Sequence, residues 1–377
     1  MLILEDHKSW IASLRERVLV FLDTLSRSEN SFNYNPVAYG ITPEGRELEL
    51  GFSCYALKIK YILKDPSIFN ESVNLDWAKY LNSFQVESGK FPRNSFVDEK
   101  FLKYQAKFEF NKSLKNNLKK ILNHSSKYDY LTNEQKVYDF IKAESKQAIS
   151  TLHEIKSRNL HPYLDFPKNE HEINNYLQDL NWAYPWNAGA QFSALCVFSS
   201  TQPIQKKQDV EKELKKFIKS ISNDVNGLYF VGNVNSTSEL INGAMKVLTG
   251  LDWLGESIHY PEKLIDYCLN SKPNSEGCDL VDIVYVLYRC SLETDYKKNE
   301  IEQYLIGLIY EIKLHYHDKE GGFSYFKNKS QTHYYGVNVS KGLNTPDIHG
   351  TILIVWALSM IFKIIKYDNI QWNILKP

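Results

Sequence analysis

Hydrophobic residues recur at intervals of three and four positions through most of the chain, which is the pattern of amphipathic helices. Extended segments are predicted only at 228–231 and 323–326, and no strands alternate with helices as a parallel α/β fold requires. The sequence therefore predicts an all-α protein. The predicted helices span residues 5–27, 46–64, 73–85, 97–122, 133–157, 169–180, 187–200, 206–221, 237–253, 260–271, 279–292, 298–315 and 348–366.

The predicted helices are of two kinds. Segment 209–219 is charged and amphipathic, whereas segment 187–198 is apolar nearly all round and rich in small residues, so it requires burial. Alternation of the two kinds suits a double layer, in which outer helices shield inner helices around a central cavity. We expect an (α/α) ring of about six helical hairpins with short β-hairpin-like loops. A single domain would cover residues 1–377, although the pattern fits residues 1–130 less well.

A glycine accompanied by an aromatic residue precedes three of the predicted helices, in segments 88–91, 226–230 and 321–325. Glycine allows a tight turn at positive φ, and the aromatic ring covers the end of the next helix. In these turns, residues 180–365 resemble the α/α-toroid superfamily, which includes terpenoid cyclases, protein prenyltransferases and six-hairpin glycosidases. The resemblance implies a closed toroid with ligands bound in a central funnel.

In such a ring, the free N–H groups at the starts of the inner helices face the ligand. Polar residues at these starts are therefore candidate site residues. The most promising group precedes the apolar helix predicted at 348–366. It supplies His349, Asp347 and Tyr335 as catalytic candidates, and His333 and Tyr334 as binding candidates. An imidazole can transfer protons near neutral pH. Asp347 is also well placed to cap the helix.

A single carboxylate stands inside another apolar predicted helix. Burial of Asp282 without a partner would be costly, so it either pairs, for example with Arg289, or faces the cavity as a catalytic residue. Tyr285 shares one helix face with Asp282 at a spacing of three residues. Tyr285 is therefore a candidate for substrate binding.

Two further helix starts carry candidate binding residues. Trp186 offers a flat platform for a sugar ring, with a wedge between helices as the alternative, and Asn187 and Gln191 can bind hydroxyl groups. Glu239 and Asn242 lie in the first turns of the helix predicted at 237–253. Glu239 is explained equally well by helix capping.

The motifs of the resembled isoprenoid enzymes are missing. Neither Asp-x-Asp-Asp nor Asp-Asp-x-x-Asp occurs in the chain. The zinc site of prenyltransferases implies an Asp, a Cys and a His. Asp282 and His349 lie in comparable places, but position 284 is Val and Cys290 lies about two helical turns from Asp282. We therefore expect no metal and no cofactor.

These observations favour an enzyme that acts on a saccharide by acid/base catalysis, as a lyase, an epimerase or a hydrolase. The saccharide would be a polysaccharide precursor or an oligosaccharide. A terpenoid cyclase or prenyl-transfer enzyme is the first alternative. A non-catalytic helical scaffold that binds a partner is the second.

Composition limits the partners. Lys and Arg number 45 and Asp and Glu number 45, so no basic surface for nucleic acid is expected. The longest apolar run, 350–362, is too short to span a bilayer. Five cysteines without CxxC spacing favour a reducing, cytoplasmic location. The expected partner is a small molecule or an oligosaccharide, and the sequence does not indicate an oligomeric state.

Overall fold

The structure is a computed structural model that describes residues 7–28, 31–87, 91–106, 133–274, 276–367 and 370–377. This part of the chain is predominantly helical, with 14 α-helices and one 3-10 helix. The prediction of an all-α protein is therefore confirmed. The α-helices are α1 (Lys8–Leu25), α2 (Pro43–Glu47), α3 (Leu50–Ile62), α4 (Glu71–Asn82), α5 (Glu99–Ala106), α6 (Asn133–Glu154), α7 (Glu170–Asp179), α8 (Pro185–Thr201), α9 (Lys207–Ser220), α10 (Thr237–Leu254), α11 (Pro261–Leu269), α12 (Gly277–Ser291), α13 (Lys298–Lys313) and α14 (Ile348–Ile364).

The helix bounds follow the periodicity of the sequence closely. One difference is the segment predicted at 46–64, which is divided into α2 and α3. The predicted helix at 97–122 is present as α5 up to Ala106, and its remainder lies outside the described residues, as does most of the turn at 88–91. The 3-10 helix spans Pro66–Phe69.

Six helices carry most of the buried surface around the centre of the molecule. Helix α3 contacts α6, α6 contacts α8, α8 contacts α10, α10 contacts α12, α12 contacts α14, and α14 contacts α3. Helices α8 and α10 approach most closely because small residues face each other. A Cβ atom on Gly243 would lie 2.6 Å from Cβ of Pro185, and one on Gly189 would lie 3.0 Å from the carbonyl oxygen of Gly243.

The remaining helices cover the outside of these six. Helix α1 contacts α14, α4 contacts α6, α9 contacts α8 and α10, and α11 and α13 contact α12. Helix α9 shows why such helices lie outside: it buries Val210, Leu214 and Ile218 on one face and exposes charged side chains on the other. The expected alternation of half-exposed and buried helices is present in the described residues.

The glycine–aromatic turns before α10 and α14 share one hydrogen-bonding pattern. Gly227 and Gly321 have φ values of 75° and 84°, and each N–H donates to the carbonyl oxygen four residues earlier. Tyr229 pairs with Ser222 and Phe323 with Tyr316 in isolated antiparallel bridges, so the predicted extended segments contain isolated bridges rather than strands. The repeat seen in the sequence is therefore a repeat of local structure.

A two-stranded hairpin stands before α14. Strand β1 (His333–Tyr334) pairs antiparallel with β2 (Val337–Asn338). The two turn residues, Tyr335 and Gly336, both have positive φ, as the type I′ turn of a two-residue hairpin requires. The hairpin holds three aromatic side chains beside the start of α14.

Segment 370–377 packs against the carboxyl ends of three inner helices. The Asn373 amide donates to the Tyr61 carbonyl oxygen at 2.9 Å, next to the end of α3. The Lys376 N–H donates to Glu154 Oε1 at 2.7 Å, and Trp253 Nε1 donates to the Pro377 carbonyl oxygen at 2.6 Å. Helices α3, α6 and α10 therefore end on one side of the molecule.

No helix among the described residues combines the length and the apolar character needed to cross a membrane. The five cysteines are unpaired, and four of them are buried.

Candidate active site

A cavity of about 2770 Å³ lies between the six inner helices, and each of them contributes to its wall. Its lining combines aromatic rings, amides and charged groups. Representative lining residues are Tyr55 and Lys58 from α3, Lys146 from α6, Gln191 from α8, Lys246 from α10, Asp282 from α12, and His349 and Trp356 from α14.

His349 lies in the first turn of α14 and lines the cavity. Its ring stacks on Tyr55 with a centroid distance of 4.8 Å and an interplanar angle of 8°. Its Nδ1 lies 2.8 Å from Gln331 Oε1, so Nδ1 donates and Nε2 retains a lone pair. Burial, and secondarily repulsion by Lys246, lower the pKa of His349 to about 3, which keeps the imidazole neutral.

Tyr334 lines the cavity and donates its hydroxyl to Glu144 Oε1 on α6. The second oxygen of Glu144 has no partner among the described residues. Burial raises the pKa of Glu144 to about 8, although the bond from Tyr334 opposes that shift. The hydroxyl of Tyr334 reaches this position only because residue 51 is glycine, since a Cβ there would lie 2.2 Å from the Tyr334 oxygen.

Asp282 faces the cavity from α12 and is 2% exposed. Its Oδ2 has no hydrogen-bond partner in the described part of the chain. Burial raises the pKa of Asp282 to about 7, with the positive charge of Lys246 acting in the opposite direction. Arg289 does not supply the pairing considered from the sequence, because it forms an ion pair with Asp252 at 2.9 Å.

Comparison of the chain with protein families, with curated proteins and with solved structures found no match. The chemistry of the cavity therefore has to be inferred from its own residues.

Four of the predicted binding residues at the starts of α8 and α10 lie at the cavity wall. Trp186 is 40% exposed, and its backbone N–H donates to Glu239 Oε1 at 2.9 Å. Glu239 thus links α10 to α8, while the cap of α10 is formed by Ser236, whose hydroxyl accepts from the Glu239 N–H. Gln191 accepts hydrogen bonds from Lys142 and Tyr176, and Asn187 is exposed at the wall.

The hairpin places two more predicted residues at the cavity. Tyr335 is 50% exposed and packs edge-on against Phe140 and Tyr334. His333 is exposed, and its Nδ1 lies 3.0 Å from the hydroxyl of Thr332. Both residues line the cavity.

Three predicted site residues do not line the cavity. Asp347 is the N-cap of α14, and its carboxylate accepts from the N–H groups of Gly350, Tyr325 and Gln331, which leaves it a structural role. Tyr285 is 1% exposed and packs against Trp356. Asn242 donates to Asp279 Oδ1 at 2.8 Å and so joins α10 to α12.

Four cavity lysines and Glu144 were missed by the sequence analysis. Lys246 stands alone in the apolar helix α10, which is the same signal that identified Asp282. Lys142, Lys146 and Glu144 lie on α6, a helix with many polar residues where only the fold distinguishes the inward face, and Lys58 lies on the mostly apolar helix α3. Within the described residues, no three His, Cys, Asp or Glu side chains gather in a way that would hold a metal ion.

Proposed function

We propose that the protein is an enzyme that acts on a saccharide by acid/base catalysis in the central cavity. The observation that carries this proposal is the Asp282 carboxyl, which lines the cavity, has one oxygen without a hydrogen-bond partner among the described residues and has a pKa of about 7. A group that is half ionised near neutral pH can both give and take a proton. Perturbed carboxyls of this kind are typical of catalytic sites.

The neighbouring groups suit proton transfer more than hydrolysis. His349, neutral and held by Gln331, would accept a hydrogen bond at Nε2 rather than carry a proton. Tyr334 also lines the cavity, with its hydroxyl donated to Glu144. Aromatic surface at Trp186 and Tyr335 would support sugar rings, and amides such as that of Asn187 would bind hydroxyl groups.

We also propose that the six inner helices close into an (α/α) toroid. The support is the order of their contacts, which passes from α3 through α6, α8, α10 and α12 to α14 and returns to α3. In an open superhelix, α14 and α3 would be ends without mutual contact. Closure matters for the function because it would give the cavity a continuous wall.

An isoprenoid enzyme is the second candidate. One buried acid in a cavity that Tyr55, Tyr325 and Trp356 also line is the arrangement that a cyclase would need to protonate an alkene. Against it stand the four cavity lysines, because positive charges near the reacting carbon destabilise a carbocation. The large cavity also counts against a purely structural scaffold.

Calorimetry with the full chain tests the proposal. We expect binding of oligosaccharides from a panel with and without uronic acids, and no binding of a linear prenyl diphosphate. On a saccharide that binds and is converted, Asp282→Asn should retain binding and lose turnover by about 100-fold or more. Asp224→Asn, an exposed matched change, should leave both unchanged.

Binding of the prenyl diphosphate in place of every saccharide would overturn the proposal in favour of the second candidate. Full turnover in Asp282→Asn would remove Asp282 from the mechanism.

A further inference from the structure

Lysine side chains from three inner helices meet in the cavity. Lys58 comes from α3, Lys146 from α6 and Lys246 from α10, and all three line the wall. Lys58 Nζ donates to the hydroxyl of Ser150 at 3.3 Å. None of the three forms an ion pair with a carboxylate of the described residues. No carboxylate of the described residues therefore neutralises the cluster by an ion pair.

The three charges act on one another. The pKa of Lys146 is held well below its ordinary value by burial and then by repulsion from Lys246 and Lys58. Burial lowers the pKa of Lys58 as well, and Lys246 adds to that effect. Cys54, Glu154 and Glu144 oppose the lowering of the Lys58 pKa more strongly than Lys246 adds to it, although neither glutamate forms an ion pair with Lys58. An arrangement that gathers like charges in a low-dielectric site favours a bound anion, which would relieve their repulsion.

The position of the cluster connects it with the proposed proton-transfer group. Lys246 acts electrostatically on Asp282, His349, Lys58 and Lys146. A ligand anion held by the lysines would therefore lie beside the Asp282 carboxyl. Lysine is well suited to this because its ammonium group has three donors on a flexible stem and binds oxyanions as a point charge.

We propose that Lys58, Lys146 and Lys246 form an oxyanion site that binds an acidic group on the saccharide, so that the substrate is an anionic sugar. The proposal rests on the saccharide function above and names its substrate class. A sugar carboxylate and a sugar phosphate share the required chemistry. The experiment separates these two sources and also separates the anion site from the saccharide function.

The probes are a uronate tetrasaccharide, its carboxyl-reduced neutral form, and inorganic phosphate, each titrated calorimetrically into the full chain. We expect the uronate form to bind about tenfold more tightly than the neutral form, or better, because charged hydrogen bonds are lost on reduction. The advantage should shrink as salt rises from 50 to 500 mM.

The variants Lys146→Met and Lys246→Met keep the length of the side chain and remove its charge. Each should abolish most of the preference for the uronate form and leave binding of the neutral form nearly unchanged. Lys212→Met, the same change at an exposed position of α9, should preserve the preference. Circular dichroism verifies that the variants are folded. The comparison of the uronate and neutral sugars on the unmodified protein tests the proposal even if a variant fails to fold.

Equal binding of the uronate and neutral forms, with the lysine variants unchanged, would overturn the anion site while the saccharide function stands. Binding of inorganic phosphate that is lost in both variants, with no binding of either sugar, would support the anion site and overturn the saccharide function. Tight phosphate binding that displaces the uronate would assign the site to a phosphorylated sugar. Absence of binding by all three probes would overturn both proposals.

Discussion

Burial beside Lys246 moves the pKa values of two cavity residues in opposite directions. Asp282 rises to about 7 and His349 falls to about 3, because in both cases the low-dielectric wall disfavours the charged form. The positive charge of Lys246 partly offsets the shift of the carboxyl and adds to that of the imidazole. The sequence suggested both His349 and Asp282 as catalytic residues, and the lowered pKa of His349 is the reason that our proposal gives the transfer of a proton near neutral pH to Asp282.

The titration of Asp282 predicts a pH dependence of stability. Between its ordinary value of 3.8 and about 7, the native chain keeps a proton that the unfolded chain has lost. The free energy of unfolding contributed by this group therefore falls as pH rises through that interval and is level above it. Asp282→Asn cannot ionise, so its stability relative to the unmodified protein should rise between pH 4 and 7, by at most about 4 kcal/mol.

Urea unfolding at several pH values between 4 and 8 measures this effect. Asp224→Asn, at an exposed position, is the control, and its free energy of unfolding should vary with pH in parallel with that of the unmodified protein. A parallel curve for Asp282→Asn as well would mean that Asp282 titrates normally.

Some residues of the cavity region can be identified from the sequence, and others cannot. Asp282 was identified because one charge in an apolar helix is unusual, and Lys246 satisfies the same rule. Glu144 carries no such signal, because its partner Tyr334 is 190 positions away in the chain. Pairings of this kind depend on tertiary contacts that periodicity does not encode.

Among the elements, helices were predicted well because each has a buried stripe and, in several cases, a visible start. The N-caps of α10 and α14, Ser236 and Asp347, accept the expected backbone hydrogen bonds. Short β-hairpin-like loops were expected, but the position of the hairpin β1–β2 was not predicted, since two-residue strands leave no alternation to detect. That hairpin positions Tyr334 and Tyr335, so the site could be predicted only in part.

The start of α14 depends on a close approach that only glycine permits. A Cβ on Gly350 would lie 2.3 Å from the Tyr325 nitrogen and 2.4 Å from the Ser324 carbonyl carbon. Gly350→Ala should therefore separate α14 from the glycine–aromatic turn and lower the free energy of unfolding by about 2 kcal/mol or more.

Gly307→Ala is the matched control. Gly307 lies inside α13 with no atom within 4 Å of the added Cβ, so alanine should stabilise the helix by up to about 1 kcal/mol. Thermal unfolding of both variants provides the measurement. Equal stability of the two would contradict the close contact at Gly350.

For the whole molecule, the decisive contact joins α3 to α14, which are separated by nearly the full length of the chain. Tyr55 and His349 stack across that contact. Helix periodicity predicts which faces are buried but not which helix covers which, so the sequence alone could not distinguish a closed ring from an open superhelix. Segment 370–377 adds a second long-range connection by bonding to the ends of α3, α6 and α10.

The proposed closure of the ring predicts which other helices lose stability when the start of α14 is destabilised. Thr351→Val removes the hydroxyl that accepts from the Phe323 N–H at 3.0 Å and should destabilise the start of α14 by about 1–3 kcal/mol. In a closed ring, native-state hydrogen exchange should then show reduced protection in α3 as well as in α12, because both pack on α14. Helix α8, on the far side, should change least. Loss of protection in α12 and α14 with α3 unchanged would instead mean that α3 and α14 behave as independent ends, and the closed toroid would have to be abandoned.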